Sequence, residues 1–324
     1  MYPKHHQVLL PIGFISMLIA GFNPAIAAKQ LDEMMGSSAF KATLSIACGS
    51  LEKSNCAQVL PRIAAQAAPK GLTLEAIASK GSIQSAEGIC KGVIQGALGQ
   101  RDAFDQVKRR TECVNAFEQA GKAIYPYYGY FIALANSPYD SVRDWVKNTP
   151  EGKIVTVAVG KEGSGGQLTL GNILKNVPEL KRVLQMKDQD QNTALDAIKN
   201  GSLDALFVMD GPGSDLIDEI KKSIGKNNQP LFKFLTIDLD EAFYKNVQGW
   251  NRKPLYYKAN ITAPGWFSGG KQTIAVDAIA IISSAWEKDD PNAVKAIRIL
   301  IESTDAAEAA IRADVKIPKD WQAN

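Results

Sequence analysis

The sequence predicts an α/β protein of two packed domains. Three observations carry that expectation. Strand-like apolar runs alternate with helically spaced ones along most of the chain. Small Gly-Ser turns separate the two at four places. The 324 residues, 45% of them hydrophobic, exceed what one core usually holds.

In chain order, residues 44–47 read as a strand ending in Cys48-Gly49-Ser50, and residues 57–67 have helical spacing. Residues 72–78 make a second strand, ending in Ser79-Lys80-Gly81-Ser82 before a helix that runs to about Gln95. A short apolar segment, 97–99, leads to Gln100-Arg101-Asp102. Residues 124–135 form a longer extended run carrying Tyr125, Tyr127, Tyr128, Tyr130 and Phe131. The stretch 152–174 contains a β-branched strand at 154–159, a turn at 160–166 and a helix from Leu168. A helix with Ala194, Leu195, Ala197 and Ile198 on one face leads through Asn200-Gly201 to a strand at 205–209, then to Asp210-Gly211-Pro212-Gly213-Ser214. Segments 232–237, 261–267 and 273–284 and an alanine-rich tail at 305–313 complete the chain. Such alternation argues for parallel strand pairing.

The first 27 residues read as a cleaved secretory signal. Lys4 has no acidic neighbour, residues 8–22 are mostly apolar, and Ala25-Ile26-Ala27 fits a small-residue cleavage site. Export to the periplasm is therefore expected. Both histidines, His5 and His6, lie in that segment. A mature chain without histidine excludes Ser-His-Asp and Cys-His nucleophiles, His-ligated zinc and His general bases, leaving carboxylate, lysine or tyrosine chemistry to any enzyme. A net charge of +3 on a mixed surface gives no argument for nucleic acid. Residues 273–284 are too few to cross a membrane and include Asp277.

Cys48, Cys56, Cys90 and Cys113 are an even set in an exported chain, which favours disulfides. Three pairings exist, of which the local one, Cys48 with Cys56 and Cys90 with Cys113, is preferred. A tetrathiolate metal site is the runner-up, weakened by the absence of C-x-x-C spacing.

The four turns Gly49-Ser50, Gly81-Ser82, Gly163-Ser164-Gly165-Gly166 and Gly213-Ser214 carry the functional expectation. Backbone N–H groups are free at a helix N-terminus and the helix dipole favours negative charge there, so each turn can seat a small anion. In open α/β sheets such turns gather beyond the carboxyl ends of the strands, on one cleft. Ordinary helix capping by the serines is the bland alternative for any one of them. With no GxxxxGK[ST] and no GxGxxG, a nucleotide site is not expected. Lys80, Arg101 and Lys161 are candidate anion partners, and Glu162 and Asp210 candidate amine partners. The tyrosine run and the aromatic turn at 264–270, with Trp266, are candidate pocket walls.

The order of a KGS turn, Q-x-D, an aromatic strand, GKIVTVAVGKEGSGG, NGSLDALF and APGWFSGG resembles the TAXI-type solute-binding proteins of TRAP transporters, which are type II periplasmic binding proteins. The resemblance runs from about Leu44 towards the C-terminus and is strongest over 152–166 and 197–212. It implies two α/β lobes, each a mixed sheet flanked by helices, closing on a ligand cleft at the hinge. Residues 28–134 would begin lobe 1, residues 135–240 would form lobe 2, and residues 241–324 would return to lobe 1. It also implies a monomer that captures a small anionic or zwitterionic solute, an amino acid or carboxylate, for membrane transporter subunits, without cofactor, metal or catalysis. The ligand-side positions carried over are Gly49, Ser50, Ser79, Lys80, Gly81, Ser82, Gln100, Asp102, Gly163, Ser164, Gly165, Gly166 and Asp210. Two departures stand out. Residues 51–56 replace a segment rich in glycine and tyrosine, and Gly166 stands where threonine is common. Two alternatives stay open: a sensor or ABC-type binding protein of the same fold, and an exported enzyme using Asp102 and Asp210.

Overall fold

The computed structural model describes residues 40–51, 55–211, 214–225, 228–262, 270–286 and 292–314. Lys41–Asn324 form one compact unit. The expected signal segment, Pro212, Gly213 and Trp266 lie outside the described residues.

The elements are β1 (Ala42–Ala47), α1 (Leu60–Ala67), β2 (Leu72–Ile77), α2 (Ser82–Cys90), β3 (Gly96–Gln100), α3 (Arg101–Lys108) and β4 (Phe117–Leu134). Then come α4 (Val142–Asn148), β5 (Val155–Ala158), α5 (Gly165–Asn176), α6 (Pro178–Val183), β6 (Leu184–Lys187), α7 (Gln191–Lys199), β7 (Ala205–Asp210) and α8 (Asp215–Lys222). The chain continues through β8 (Phe232–Leu235), α9 (Glu241–Asn246), β9 (Tyr257–Thr262), β10 (Gly270–Ser283) and α10 (Ala293–Asp314).

Among the described residues the strands form one ten-stranded sheet in the order β2-β1-β3-β10-β4-β7-β5-β6, with β8 on β4 and β9 on β10. The pairs β1–β2, β1–β3, β5–β6 and β5–β7 are parallel. The centre is antiparallel, so the sheet is mixed, as the resemblance implies, and the parallel pairing expected from alternation holds in the two outer halves. The reason is that two long strands cross the whole sheet. β4 pairs with β10 from Phe117 to Tyr128, then with β7 from Tyr128 to Ile132. β10 pairs with β9 over Gly270–Ala275, then with β4 and β3. The two sheet halves, β2-β1-β3 and β7-β5-β6, are thus joined by continuous extended backbone.

β4 begins seven residues before the apolar run that predicts it. Its first part mixes buried, part-buried and exposed positions, and only its later part is almost wholly buried. On the second half, Phe131 and Phe207 join Trp145, Leu170 and Ile173 on one face, while Ile132, Leu206 and Val208 join Ile198, Ile217 and Phe234 on the other. On the first half, α10 packs on α1 and β4, presenting Ala296, Leu300, Ala307 and Ile311 at helical spacing. The alanine-rich tail is the second half of this helix.

Both local disulfides form: Cys48–Cys56 with a Cα separation of 5.0 Å, and Cys90–Cys113 with one of 5.3 Å. The larger loop, with a sequence separation of 23, contributes on the order of 3 kcal/mol through the unfolded chain. No group of metal-ligating side chains occurs among the described residues, and no described helix is long and apolar enough to cross a membrane.

Candidate functional site

Each strand that ends in a small-residue turn delivers it to the same cavity. After β1, Gly49 adopts a φ of 95°, which favours glycine, and the Cys48–Cys56 disulfide ties this turn to the helical turn Asn55–Gln58. Its backbone is stitched to the turn after β2. Gly49 N donates to Ser79 Oγ at 3.1 Å, and Ser79 N donates to Gly49 O at 2.9 Å. That second turn is fastened to the end of β3, where Gln100 N donates to Ser82 Oγ at 3.0 Å. Gly81 precedes α2 without a side-chain cap.

From the second sheet half, β5 leads to α5. Ser164 caps that helix, accepting from Gln167 N at 3.2 Å and donating to Val159 O at 2.7 Å. The two halves touch at these turns. A Cβ on Gly81 would lie 3.3 Å from Gly163 O, and one on Gly165 would lie 1.6 Å from Gln100 Oε1. After β7, Asp210 accepts from Gly211 N at 2.9 Å and from Ser214 Oγ at 2.5 Å, and Ser214 caps α8.

The cavity volume is about 420 Å³, within the range of small-molecule sites. Of the positions selected by the turn reading, Gly49, Ser50, Ser79, Lys80, Gly81, Ser82, Gln100, Ser164, Gly165 and Asp210 line it. So do residues that reading did not select: Gln58, Gln191, Met209 and Leu216. Tyr125 and Tyr127 form part of the wall, with ring centroids 5.1 Å apart. Strand alternation directs Tyr128 and Tyr130 into the core instead.

Other expected positions lie elsewhere. Gly166 faces backbone: a Cβ there would fall 2.9 Å from Val159 O and 3.0 Å from Phe207 O. Gly163 and Asp102 line a separate trough of about 870 Å³ beyond the contact between α3 and α5. Arg101, a candidate anion partner, is buried against Asp277 at 3.5 Å and donates to Asn251 Oδ1 at 2.7 Å.

Asp102 is the centre of a buried network joining the two halves. Its Oδ2 accepts from Thr169 Oγ1 at 2.7 Å and from the Tyr256 hydroxyl at 2.8 Å; its Oδ1 accepts from Ala103 N at 2.9 Å and from Gln100 Nε2 at 3.3 Å. Asn172 Nδ2 in turn donates to the Tyr256 hydroxyl at 2.8 Å. Burial raises the Asp102 carboxyl above its ordinary value of 3.8, outweighing the hydrogen bonds that favour the anion. Burial also raises Asp210 and Asp277, and it raises Tyr256 well above its ordinary value.

A carboxyl raised on folding binds its proton more tightly in the folded state. Its stabilising contribution is fully present below pH 3.8 and is lost as the pH rises through the folded value. Asp102→Asn is therefore expected to flatten the decline in stability above that pH. Urea unfolding over a pH series reads the slope; a variant slope equal to the parent's would remove Asp102 as its source.

No curated protein matches the chain in sequence. Among solved structures, a periplasmic sulfonate-binding protein of a sulfonate ABC transporter from Methylobacillus flagellatus KT aligns with a TM-score of 0.51 at 12% identity. That alignment covers 87% of this chain and 75% of that one. The GluR0 ligand-binding core in complex with L-glutamate aligns with a TM-score of 0.51 at 9% identity, covering 86% of this chain and 98% of that one. The mixed sheet flanked by helices is the fold of these binding proteins. The NMT1-like family model matches residues 58–312, and the chain belongs to the NMT1-like family.

Proposed function

We propose that this chain is an exported solute-binding protein whose two sheet halves act as lobes that close over a small anionic or zwitterionic molecule and deliver it to a membrane transporter. One observation carries the reading: turns from both halves, with the starts of α2, α5 and α8, converge on a single cavity of about 420 Å³. Backbone amides at helix starts, serine hydroxyls and Lys80 at the mouth suit a carboxylate. The crossing strands β4 and β10 serve as the hinge, and a bound solute bridging the lobes shifts the population towards closure. The protein performs no chemistry on its cargo. The two disulfides fit an oxidising compartment, which supports export.

The similarity of segments 152–166 and 197–212 to TAXI-type proteins supports a TRAP-type partner. The fold shared with the sulfonate-binding protein of an ABC transporter supports the second reading, delivery to an ABC-type transporter. Titration calorimetry and thermal shift against amino acids and mono- and dicarboxylates test solute capture, and silence across the panel would overturn it. Uptake into vesicles carrying the transport subunits separates the partners. A TRAP partner works from an ion gradient without ATP, whereas strict ATP dependence assigns the ABC type.

A further inference from the structure

We propose that the captured solute carries a protonated amine and that Asp210 holds it, so that pure anions are rejected. The inference rests on the solute-binding reading and narrows the class of ligand. Among the described residues, the ionisable side chains that meet the cavity divide by depth. Lys80 and Asp215 are exposed and of opposite charge, whereas Asp210 is part-buried at the end of β7. Among the described residues each Asp210 oxygen accepts one hydrogen bond, Oδ1 from Gly211 N and Oδ2 from Ser214 Oγ. A carboxylate oxygen has a second lone pair, and no ion pair with Asp210 occurs among the described residues.

A second feature points the same way without involving Asp210. Gln100 is only 4% exposed, yet it lines the cavity. Its amide nitrogen is committed on the far side, donating to Asp102 Oδ1 at 3.3 Å and to Thr169 Oγ1 at 3.5 Å. Asp102 Oδ1 is the acceptor there, receiving Ala103 N at 2.9 Å as well, which sets the orientation of the Gln100 amide. The carbonyl oxygen is therefore turned towards Gly165, at the cavity wall, and no donor reaches it among the described residues. The inner wall thus presents two acceptors, one of them charged, and the Tyr125 and Tyr127 rings beside them, whose faces also attract cations. An ammonium group supplies several donors and the opposite charge. A dicarboxylate or alkylsulfonate would instead place negative charge against Asp210 without compensation. The amides at the starts of α2 and α5 remain for the solute's anionic end, so a zwitterion spans the cavity from Asp210 to Gly81 and Gly165.

The test uses matched pairs on the intact protein: L-glutamate against glutarate, L-alanine against propionate, L-leucine against 4-methylpentanoate, and taurine against ethanesulfonate. Calorimetry is expected to show binding by at least one amine-bearing member, with its amine-free counterpart at least tenfold weaker. Asp210→Asn is expected to weaken that member about tenfold to hundredfold, the range for a lost charge-assisted hydrogen bond. Equal binding within a pair, or binding by the acids alone, overturns the amine requirement and leaves solute capture standing. Undiminished binding by Asp210→Asn overturns the assignment of the residue. Silence from every probe overturns solute capture and this inference together. The parent protein's preference within each pair decides the amine question even where the variant does not fold.

Discussion

Gly165→Leu is expected to abolish ligand-induced stabilisation while the protein still folds. Gly165 is the first residue of α5, with an ordinary helical setting and no left-handed backbone to lose. What a side chain there meets is the tip of Gln100: Oε1 at 1.6 Å, Cδ at 2.5 Å and Nε2 at 2.9 Å from the added Cβ. The Gln100 side chain can move, but only by giving up its bonds to Asp102 and Thr169, which belong to the network joining the halves. Losing them costs the closed arrangement about 1–3 kcal/mol. Since 1.4 kcal/mol is tenfold in affinity, even Gly165→Ala should weaken binding about tenfold to hundredfold, and leucine should remove it from a measurable range. Circular dichroism without ligand should stay close to the parent, and the unfolding midpoint should fall by no more than that loss. Binding retained by the leucine variant would remove this turn from the cleft, and a collapsed variant would make the turn structural.

The neighbours of Gly165 show how far a linear reading reaches. Turn chemistry is local, so Gly49, Ser79, Gly81, Ser82, Gln100 and Ser164 were legible as a set: each follows an apolar strand and precedes helical spacing. Which way a residue faces at a helix start is not local. Successive helical residues are rotated by roughly 100°, so Gly165 meets the other half while Gly166 meets the backbone of its own. Gln100 and Asp102 divide in the same way, one at the cavity and one in the buried network. The partners that define Asp102, Thr169 and Tyr256, lie 67 and 154 residues away, and no pattern around Asp102 announces them. The tyrosine run was legible as aromatic wall or core; only the register of β4 against β7 and β10 assigns Tyr125 and Tyr127 to the cavity and Tyr130 to the core. The parallel pairing read from alternation holds only in the outer halves, for a related reason. Alternation reports local element order, whereas the antiparallel centre arises from two strands that each serve both halves.

The same rotation gives α5 three glycines with opposite expected outcomes. Replacing an interior helical glycine by alanine ordinarily stabilises by up to about 1 kcal/mol, because glycine has more backbone freedom to lose. Gly171 should follow that rule, since a Cβ there meets nothing within 4 Å. Gly166 should reverse it. Its Cβ would press on Val159 O at 2.9 Å and Phe207 O at 3.0 Å, and these are backbone atoms of the β5 and β7 layer with no rotamer to change. The helix must therefore lift off the sheet, loosening Leu170 and Ile173 in the core beneath it. Overpacking of this kind costs about 1–3 kcal/mol, enough to outweigh the alanine propensity. Gly166→Ala should accordingly lower the urea midpoint while Gly171→Ala raises it, and Gly166→Leu should fail to accumulate as folded protein. A threonine at position 166, common in the resembling family, would need α5 set farther from β5 and β7 than it is here. A stabilised Gly166→Ala would show that the helix start has slack, and would reopen the position to a side chain that reaches the ligand.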